Sequence, residues 1–200
     1  GEILEALETT RQEATILFVS DHGDMLGERG LWFKMSFFEG SSRVPLMIAA
    51  PQFEPRLEET PVSTLDVTPT LGELAGLDLS DILPWVDGQS LCPVAYHQAR
   101  ETPVKIEYAA EASYAPLVAL VQGRWKYTRC ALDPDQFFDL GADPEERVNL
   151  AETEPDNPFL AEFRKMADAA WDLERFDADV RASQARRWVV YDALRNGSYY

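Results

Sequence analysis

Short apolar runs alternate with polar, glycine-rich segments in the first part of the chain. Residues 15–19 form a run of strand-forming side chains that ends at Ser20, and residues 43–50 form a second run that Pro51 closes. Residues 2–11 carry apolar side chains at helical spacing among glutamates, which predicts an amphipathic helix. A helix followed by an apolar strand predicts a buried strand of a parallel sheet, as in α/β folds.

A further helix is predicted beyond the second strand. Thr68 is a suitable N-cap, Pro69 fits the first turn, and Gly76 follows the last predicted helical residue, Ala75. Residues 78–91 combine scattered polar side chains with glycine, which is typical of a loop.

The pattern changes to strands after Val104. Residues 115–121 and 125–129 flank the short connection 122–124, which predicts a β-hairpin. Residues 136–140 add a short strand. We therefore expect a small antiparallel sheet in this part of the chain.

Two helices are predicted beyond Asn157, and the second ends at Asn196 and Gly197. Each helix carries an apolar stripe of the kind that packs in a core or against another subunit. The first stripe consists of Phe159, Phe163, Met166, Ala167, Ala170 and Trp171, and the second of Val180, Ala185, Trp188, Val189 and Leu194.

Charge and cysteine content narrow the classes of function. The formal net charge of -17 argues against nucleic acids and anionic membranes as partners, since both are bound by basic surfaces. No apolar run approaches the roughly 20 residues that cross a bilayer. Cys92 and Cys130 have no paired spacing, which favours free thiols in a cytoplasmic protein. The chain begins at Gly1 rather than Met, and we expect it to belong to a longer protein.

Asp21 and His22 are the first candidates for chemistry. They follow the predicted strand 15–19 directly, and the carboxyl ends of strands are where open α/β sheets place their active sites. A carboxylate oxygen and a neutral imidazole can share one divalent cation. The alternative is an aspartate cap followed by a surface histidine.

Lys34 lies thirteen positions after Asp21, in a segment rich in glycine and aromatic side chains. Trp32, Phe33 and Phe37 flank it, which predicts a partly desolvated ammonium that binds an oxyanion more strongly than it would in water. The alternative is a solvated surface lysine with a buried stem.

These residues together resemble a known family. Residues 20–28, Lys34, residues 43–46, residues 65–76 and the stretch 122–150 are similar to the corresponding motifs of the sulfatase family of the alkaline-phosphatase-like superfamily. The resemblance implies the carboxy-terminal portion of an alkaline-phosphatase-like α/β fold. It implies three parts, namely a catalytic α/β part over 1–100, a small antiparallel sheet over 101–150 and a helical tail over 151–200.

The resemblance also implies roles for the candidate residues. Asp21 and His22 would bind a divalent cation, either Ca²⁺ or Mn²⁺, and Lys34 would be a catalytic residue that binds the sulfate group. Sulfatases use a formylglycine made from the cysteine of a C-x-P-S-R motif, which neither Cys92 nor Cys130 matches. We therefore expect the nucleophile to lie upstream, so that this chain alone would be an inactive fragment.

Within the family the likeness is greatest to the branch that hydrolyses choline-O-sulfate, and the tail residues 174–187 share it. In that branch the tail joins subunits, which implies a homo-oligomer. The resemblance places an ammonium-binding glutamate at Glu111, and a carboxylate near the aromatic residues Tyr108 and Tyr114 suits a quaternary ammonium. The alternative is a solvated loop carboxylate at Glu111. We expect the two tyrosines themselves to be packing residues.

Two classes of ester substrate fit the sequence. Arylsulfatases usually have Asn where this chain has His22, and histidine there fits both choline-O-sulfate hydrolases and phosphonate monoester hydrolases. A phosphonate or phosphate ester hydrolase and a non-catalytic assembly fragment are therefore the alternatives. His97 has no partner in sequence and is not assigned to the site.

Overall fold

A computed structural model describes residues 1–10, 13–77, 84–111 and 113–197 of the chain. They form two compact units, Gly1–Val104 and Lys105–Tyr200. The three-part division expected from the sequence stays a prediction. Within the described ranges, none of the helices combines the length and the apolar character needed to cross a membrane.

The first unit consists of short elements. They are α1 (Glu2–Thr10), β1 (Ile16–Val19), β2 (Met25–Leu26), β3 (Trp32–Phe33), α2 (Glu39–Ser42), β4 (Leu46–Ala49), α3 (Val67–Leu74) and α4 (Cys92–Ala95). The predicted helix and both predicted strands of this region are confirmed, with slightly shorter bounds. Arg11 and residues 78–83 of the predicted loop lie outside the described residues.

The orientation and burial predicted for the first strand are wrong. β1 pairs with β4 in antiparallel orientation, from Ile16 opposite Ala49 to Val19 opposite Leu46. Phe18 lies opposite Met47 on one face of this pair, and the two side chains are 54% and 59% exposed. The chain returns from β1 to β4 through a hairpin and one helical turn, without the long crossover that parallel neighbours require.

The α3 helix begins differently from the prediction. A short 3₁₀ turn at Thr64–Asp66 precedes it, and Ser63 caps this turn in a capping box with Asp66, so Thr68 is not the cap. The fully buried Asp66 also forms an ion pair with Arg100, whose Nη1 lies 2.6 Å from Asp66 Oδ2. Gly76 has φ +72° and follows the last turn, which confirms the predicted helix end.

The second unit combines a sheet with helices. Its elements are β5 (Val104–Tyr108), which starts at the boundary, β6 (Leu117–Gln122), β7 (Trp125–Cys130), β8 (Gln136–Asp139), α5 (Leu150–Thr153), α6 (Pro158–Ala170) and α7 (Leu173–Asn196). The strands form one sheet in the order β5-β6-β7-β8. The predicted hairpin is confirmed, because β6 and β7 pair antiparallel and Gln122 lies opposite Trp125.

The core of this unit lies between the sheet and α6. Its buried members are Leu120, Tyr127, Phe137, Leu160, Phe163 and Ala167. Phe163 and Ala167 confirm part of the first predicted stripe. Phe159 is 45% exposed, whereas Leu160, which the predicted stripe omits, is fully buried.

The α7 helix does not pack in this core. None of its residues, all of which the structure describes, is buried, and Trp188 and Val189 are exposed. The prediction that its apolar stripe packs in a core is therefore wrong within this chain. A role in contacts between subunits stays a prediction.

Candidate active site

Asp21 and His22 are placed side by side by the end of β1. Asp21 Oδ2 lies 3.5 Å from His22 Nε2, and the Asp21 side chain is 85% exposed. Ser20 Oγ donates a hydrogen bond of 2.8 Å to the His22 carbonyl, and the His22 amide donates one of 2.9 Å to Asp21 Oδ1. The two side chains therefore point to the same region of solvent.

The hydrogen bonds of His22 define which ring nitrogen is available. Nδ1 lies 2.9 Å from the carbonyl oxygen of Gly23, and a carbonyl can only accept, so Nδ1 carries the proton. In the neutral ring, Nε2 then carries the lone pair, on the side of Asp21. A backbone carbonyl that fixes the tautomer in this way is typical of histidines that bind metals.

The charge state of Asp21 also suits a cation. The hydrogen bond from the His22 amide is the largest cause of a lowered pKa of Asp21. The carboxylate is therefore ionised at neutral pH. Its oxygens suit a divalent ion such as Ca²⁺ or Mn²⁺, and an imidazole nitrogen beside them favours the transition metal of the two.

Lys34 is brought to this pair by the hairpin β2–β3. Its Nζ lies 3.4 Å from His22 Nε2, although twelve residues separate the two along the chain. Phe33, directly before Lys34, has φ +69°, an uncommon conformation for an aromatic residue. The structure therefore brings together three sequence-predicted site residues, Asp21, His22 and Lys34.

The setting of Lys34 differs from the prediction. Phe37 is buried, but Trp32 and Phe33 are 60% and 64% exposed, and Lys34 itself is exposed. The two-residue strands of the hairpin are too short to fold these aromatic side chains over the lysine. The predicted desolvation of Lys34 by its neighbours is therefore wrong within this chain.

Close backbone packing holds the loop in shape. A Cβ on Gly23 would lie 2.2 Å from the carbonyl oxygen of Gly40, and the Gly23 amide donates a hydrogen bond of 2.9 Å to the Ser41 carbonyl. Because glycine has no side chain, α2 packs directly against the backbone of Gly23, next to His22. This contact positions Asp21 and His22 relative to α2 and to β4, the strand that follows it.

Asp21 and His22 fit a divalent cation as part of its ligand set. Two donor atoms 3.5 Å apart can both reach one ion at ordinary ligand distances of about 2.0–2.5 Å. Within the described ranges, no group of three or more His, Cys, Asp or Glu side chains is arranged to hold a metal. The pair thus supplies ligands without completing a coordination shell.

Sequence reasoning missed two neighbours of this pair. Asp24 Oδ1 lies 3.9 Å from His22 Nδ1, and Ser20 fixes the His22 backbone. Both residues stand within residues 20–28, which resemble the family motif, but a sequence gives no sign of which carboxylate faces which ring nitrogen. They orient His22 rather than adding ligands.

Glu111 lies in the second unit, in the loop that follows β5. Its carbonyl oxygen accepts a hydrogen bond of 2.6 Å from Tyr108 Oη. Burial and then the negative charge of Glu111 raise the pKa of Tyr108. Tyr108 therefore anchors the loop, a role that sequence reasoning missed, while Tyr114 is 89% exposed and does not pack as predicted.

His97 has a structural partner. Arg56 donates hydrogen bonds to His97 Nδ1 and to the carbonyl of Val94, and Arg56 also pairs with Glu58 at 2.6 Å. These contacts fasten the loop after β4 to the residues that follow α4. They agree with leaving His97 out of the site.

Comparison with known proteins identifies the class. Residues 1–77 match the family model described as Sulfatase. The structure resembles that of a 2-O GAG sulfatase, with 27% identity and a TM-score of 0.66 over 84% of this chain and 38% of that one. The chain therefore belongs to the sulfatase family and has its alkaline-phosphatase-like α/β fold, as the sequence motifs predicted.

A more specific likeness lies within the family. The chain is 62% identical to the choline-sulfatase of Rhizobium meliloti over 205 aligned residues, which cover 100% of this chain and 40% of that protein. The fold is also that of a phosphonate monoester hydrolase from Silicibacter pomeroyi, at 24% identity and a TM-score of 0.62 over 99% of this chain and 38% of that one. The chain spans about two fifths of the length of the curated relatives it matches.

Proposed function

We propose that this chain supplies the metal-binding and sulfate-binding half of a sulfuric ester hydrolase that cleaves choline-O-sulfate to choline and sulfate. The observation that carries the proposal is the cluster of Asp21 Oδ2, His22 Nε2 and Lys34 Nζ at the end of β1. The relative named choline-sulfatase, 62% identical over the whole chain, supports this substrate class.

Asp21 and His22 hold a divalent cation in this proposal, with Ca²⁺ or Mn²⁺ as the ion. The bound ion supplies Lewis acidity toward a sulfate oxygen. Asp21 contributes negative charge, and the hydrogen bond from His22 Nδ1 to the Gly23 carbonyl leaves Nε2 of the neutral ring as the nitrogen that binds the ion. Further ligands come from other parts of the enzyme.

Lys34 binds and neutralises the sulfate group in this proposal. Its ammonium lies 3.4 Å from His22 Nε2, so an anion held beside the Asp21–His22 pair is within its reach. A fixed cation next to an oxyanion lowers the energy of the charge that develops on the ester and leaving-group oxygens during cleavage.

The nucleophile is a formylglycine in a C-x-P-S-R segment before Gly1. In the sequence of this chain neither Cys92 nor Cys130 stands in such a motif. We expect the 200-residue chain alone to have no turnover. The upstream sequence tests this directly, because the absence of C-x-P-S-R there would favour a non-catalytic assembly module.

Glu111 faces the trimethylammonium group of the substrate in this proposal. A quaternary ammonium donates no N–H hydrogen bonds, so an anionic carboxylate beside aromatic residues such as Tyr108 suits it. Glu111→Gln in the full-length enzyme should raise the KM for choline-O-sulfate and leave the KM for an aryl sulfate without an ammonium group unchanged. Equal losses on both substrates would exclude the ammonium role.

Phosphonate or phosphate ester hydrolysis is the second candidate function. The fold shared with a phosphonate monoester hydrolase and the histidine at position 22 favour it. Turnover of choline-O-sulfate should be compared with that of an aryl phosphonate, using one preparation of the full-length enzyme. Faster cleavage of choline-O-sulfate is expected, and rapid cleavage of the phosphonate alone would contradict the first proposal.

The proposal includes a homo-oligomer formed through α7 and a cytoplasmic location. The exposed side chains Trp188, Val189, Tyr191 and Leu194 support α7 as the contact between subunits, because apolar groups exposed together mark interaction surfaces. The free thiols of Cys92 and Cys130 support a reducing compartment.

A further inference from the structure

We infer that Arg181 on α7 is a positioning residue for the loop that carries Glu111, so that the tail helix helps to set the affinity for the ammonium group. The inference rests on the proposed role of Glu111. Arg181 Nη2 donates a hydrogen bond of 3.1 Å to the carbonyl oxygen of Tyr114, 67 positions away along the chain. This contact joins α7 to the loop between β5 and β6.

The backbone of the Glu111 loop is held at two points, at Glu111 itself and three residues after it. Tyr108 Oη donates to the Glu111 carbonyl at 2.6 Å, and Arg181 donates to the Tyr114 carbonyl three residues later. The Tyr114 side chain is 89% exposed and provides no packing anchor. Hydrogen bonds to backbone carbonyls, rather than packing of the Tyr114 side chain, therefore hold this loop.

The guanidinium of Arg181 is oriented by its own helix. Its Nε lies 2.7 Å from Asp177 Oδ2, one turn earlier on α7. This hydrogen bond, followed by the charge of Asp177, raises the pKa of Arg181. With Nε held by Asp177, the Nη2 amino group is directed at the loop, so the two contacts of Arg181 form a link from α7 to the Tyr114 carbonyl.

The position of the loop matters because of the chemistry of the ligand. A quaternary ammonium binds a carboxylate through charge alone, without a directional hydrogen bond, and the interaction weakens as the two groups move apart. A displaced loop would therefore weaken binding of the ammonium while leaving the sulfate contacts intact. Arg181 is expected to affect the KM of substrates that carry an ammonium group rather than the kcat.

The test compares Arg181→Met and Arg181→Lys with a matched control in the full-length enzyme. Arg175→Met is the control, because Arg175 also pairs with a residue one turn away, Asp179, on the same helix. Loss of one hydrogen bond predicts that Arg181→Met raises the KM for choline-O-sulfate about 2- to 10-fold. Arg181→Lys, which keeps a donor, should restore part of the affinity.

The KM for an aryl sulfate without an ammonium group and the kcat for both substrates should not change in any of these variants. Glu111→Gln measured in parallel separates the two proposals. If Glu111→Gln leaves the KM for choline-O-sulfate unchanged, the proposed function of Glu111 fails. If Glu111→Gln raises this KM and Arg181→Met does not, the inference about Arg181 alone is overturned.

A double variant gives the sharpest result. If Arg181 acts through Glu111, adding Arg181→Met to Glu111→Gln should raise the KM for choline-O-sulfate no further, because the two changes remove the same interaction. Additive increases would contradict a positioning role. Equal increases for substrates with and without an ammonium group in Arg181→Met would also contradict it, since they would indicate a general structural effect.

Discussion

Two lysines show how differently the two units use a positive charge. Lys34 stands in an exposed loop of the first unit, with its ammonium 3.4 Å from His22 Nε2. Lys126 lies on β7 of the second unit, with its ammonium 2.9 Å from Glu146 Oε1, and the two side chains are 1% and 3% exposed. One lysine faces solvent beside potential ligands, and the other is enclosed with a carboxylate.

The two lysines are expected to serve different properties, Lys34 substrate binding and Lys126 stability. Removing one partner of a buried ion pair leaves the other charge in a poorly solvated position, which costs far more than loss of an exposed pair. An exposed lysine contributes little to folding, but it is accessible to an anionic substrate. We therefore expect changes in the sheet to affect stability and changes in the loop to affect catalysis.

The largest expected effect on stability comes from Lys126→Met. Without the Lys126 ammonium, the buried carboxylate of Glu146 loses a close positive charge, and the free energy of unfolding should fall by about 3–5 kcal/mol. Urea denaturation of the chain measures this fall in the free energy of unfolding. Lys165→Met, at an exposed position of α6, is the control and should change stability by less than about 0.5 kcal/mol. Equal effects of the two substitutions would contradict the comparison.

Lys34→Met should show the reverse behaviour. Loss of a cation that stabilises a developing oxyanion predicts a fall in kcat/KM of about 10²- to 10³-fold in the full-length enzyme. Its exposed position predicts a change in stability of less than about 0.5 kcal/mol. Steady-state kinetics measure kcat/KM, and urea denaturation of the same preparation measures the free energy of unfolding. A loss of stability as large as that of Lys126→Met would show that Lys34 is structural.

Tyr127 provides a pH-dependent test of the buried core. Burial, followed by the negative charge of Asp135, raises the pKa of Tyr127 to about 12. Because this folded value lies above the ordinary value near 10, the stabilising contribution is complete below pH about 10 and is lost as the pH rises towards 12. This difference between the folded and the unfolded pKa of Tyr127 corresponds to a loss of roughly 2–3 kcal/mol in the free energy of unfolding.

Urea denaturation at increasing pH measures this loss. Tyr127→Phe should reduce the decrease between pH about 10 and about 12 by roughly 2–3 kcal/mol, because phenylalanine does not titrate, whereas Tyr108, whose pKa is also raised, still does. Tyr114→Phe, at an exposed position, should retain it. An unchanged alkaline decrease in Tyr127→Phe would contradict the assignment.

The smallest effect is expected at the β6–β7 turn. Burial opposes ionisation of Asp139, but hydrogen bonds from Arg124 and from two backbone amides outweigh it and lower the pKa of Asp139. Its stabilising contribution is therefore present above the unfolded value near 3.9 and is lost as the pH falls. Arg124 is about half exposed, so Arg124→Met should cost less than about 1 kcal/mol.

An NMR titration tests this last prediction directly. The pKa of Asp139 should rise in Arg124→Met, because the arginine supplies the strongest of the favourable hydrogen bonds. Arg147→Met, another exposed arginine of the same unit, is the control and should leave it unchanged. An unaltered pKa of Asp139 in Arg124→Met would contradict the role of the Arg124–Asp139 ion pair in lowering it.

Local features of this fold could be predicted because they depend on neighbouring residues. Gly123, with φ +55°, permits the tight turn of the β6–β7 hairpin, and the apolar runs at residues 16–19 and 46–49 form strands. The order Asp21, His22 and Lys34 marks the proposed site in the sequence, and the structure brings the three side chains together. These signals need no knowledge of distant contacts.

Other features depend on contacts between distant parts of the chain. The antiparallel pairing of β1 with β4 follows from the path of the loop between them, which hydrophobic periodicity does not encode. The pair of Lys126 and Glu146, and the contact of Arg181 with the Tyr114 carbonyl, join residues 20 and 67 positions apart. A charged side chain in a strand or helix gives no sign of which distant group it meets.

The metal content of the full-length enzyme tests the central claim most directly. We predict that the purified enzyme contains a tightly bound divalent ion and that Asp21→Asn loses it, as measured by inductively coupled plasma mass spectrometry. Glu28→Gln neutralises another carboxylate of the same loop, one that accepts a hydrogen bond from the Leu26 amide, and should retain the ion. An Asp21→Asn enzyme with the same metal content as the unmodified enzyme would contradict the assignment of Asp21 and His22 as metal ligands.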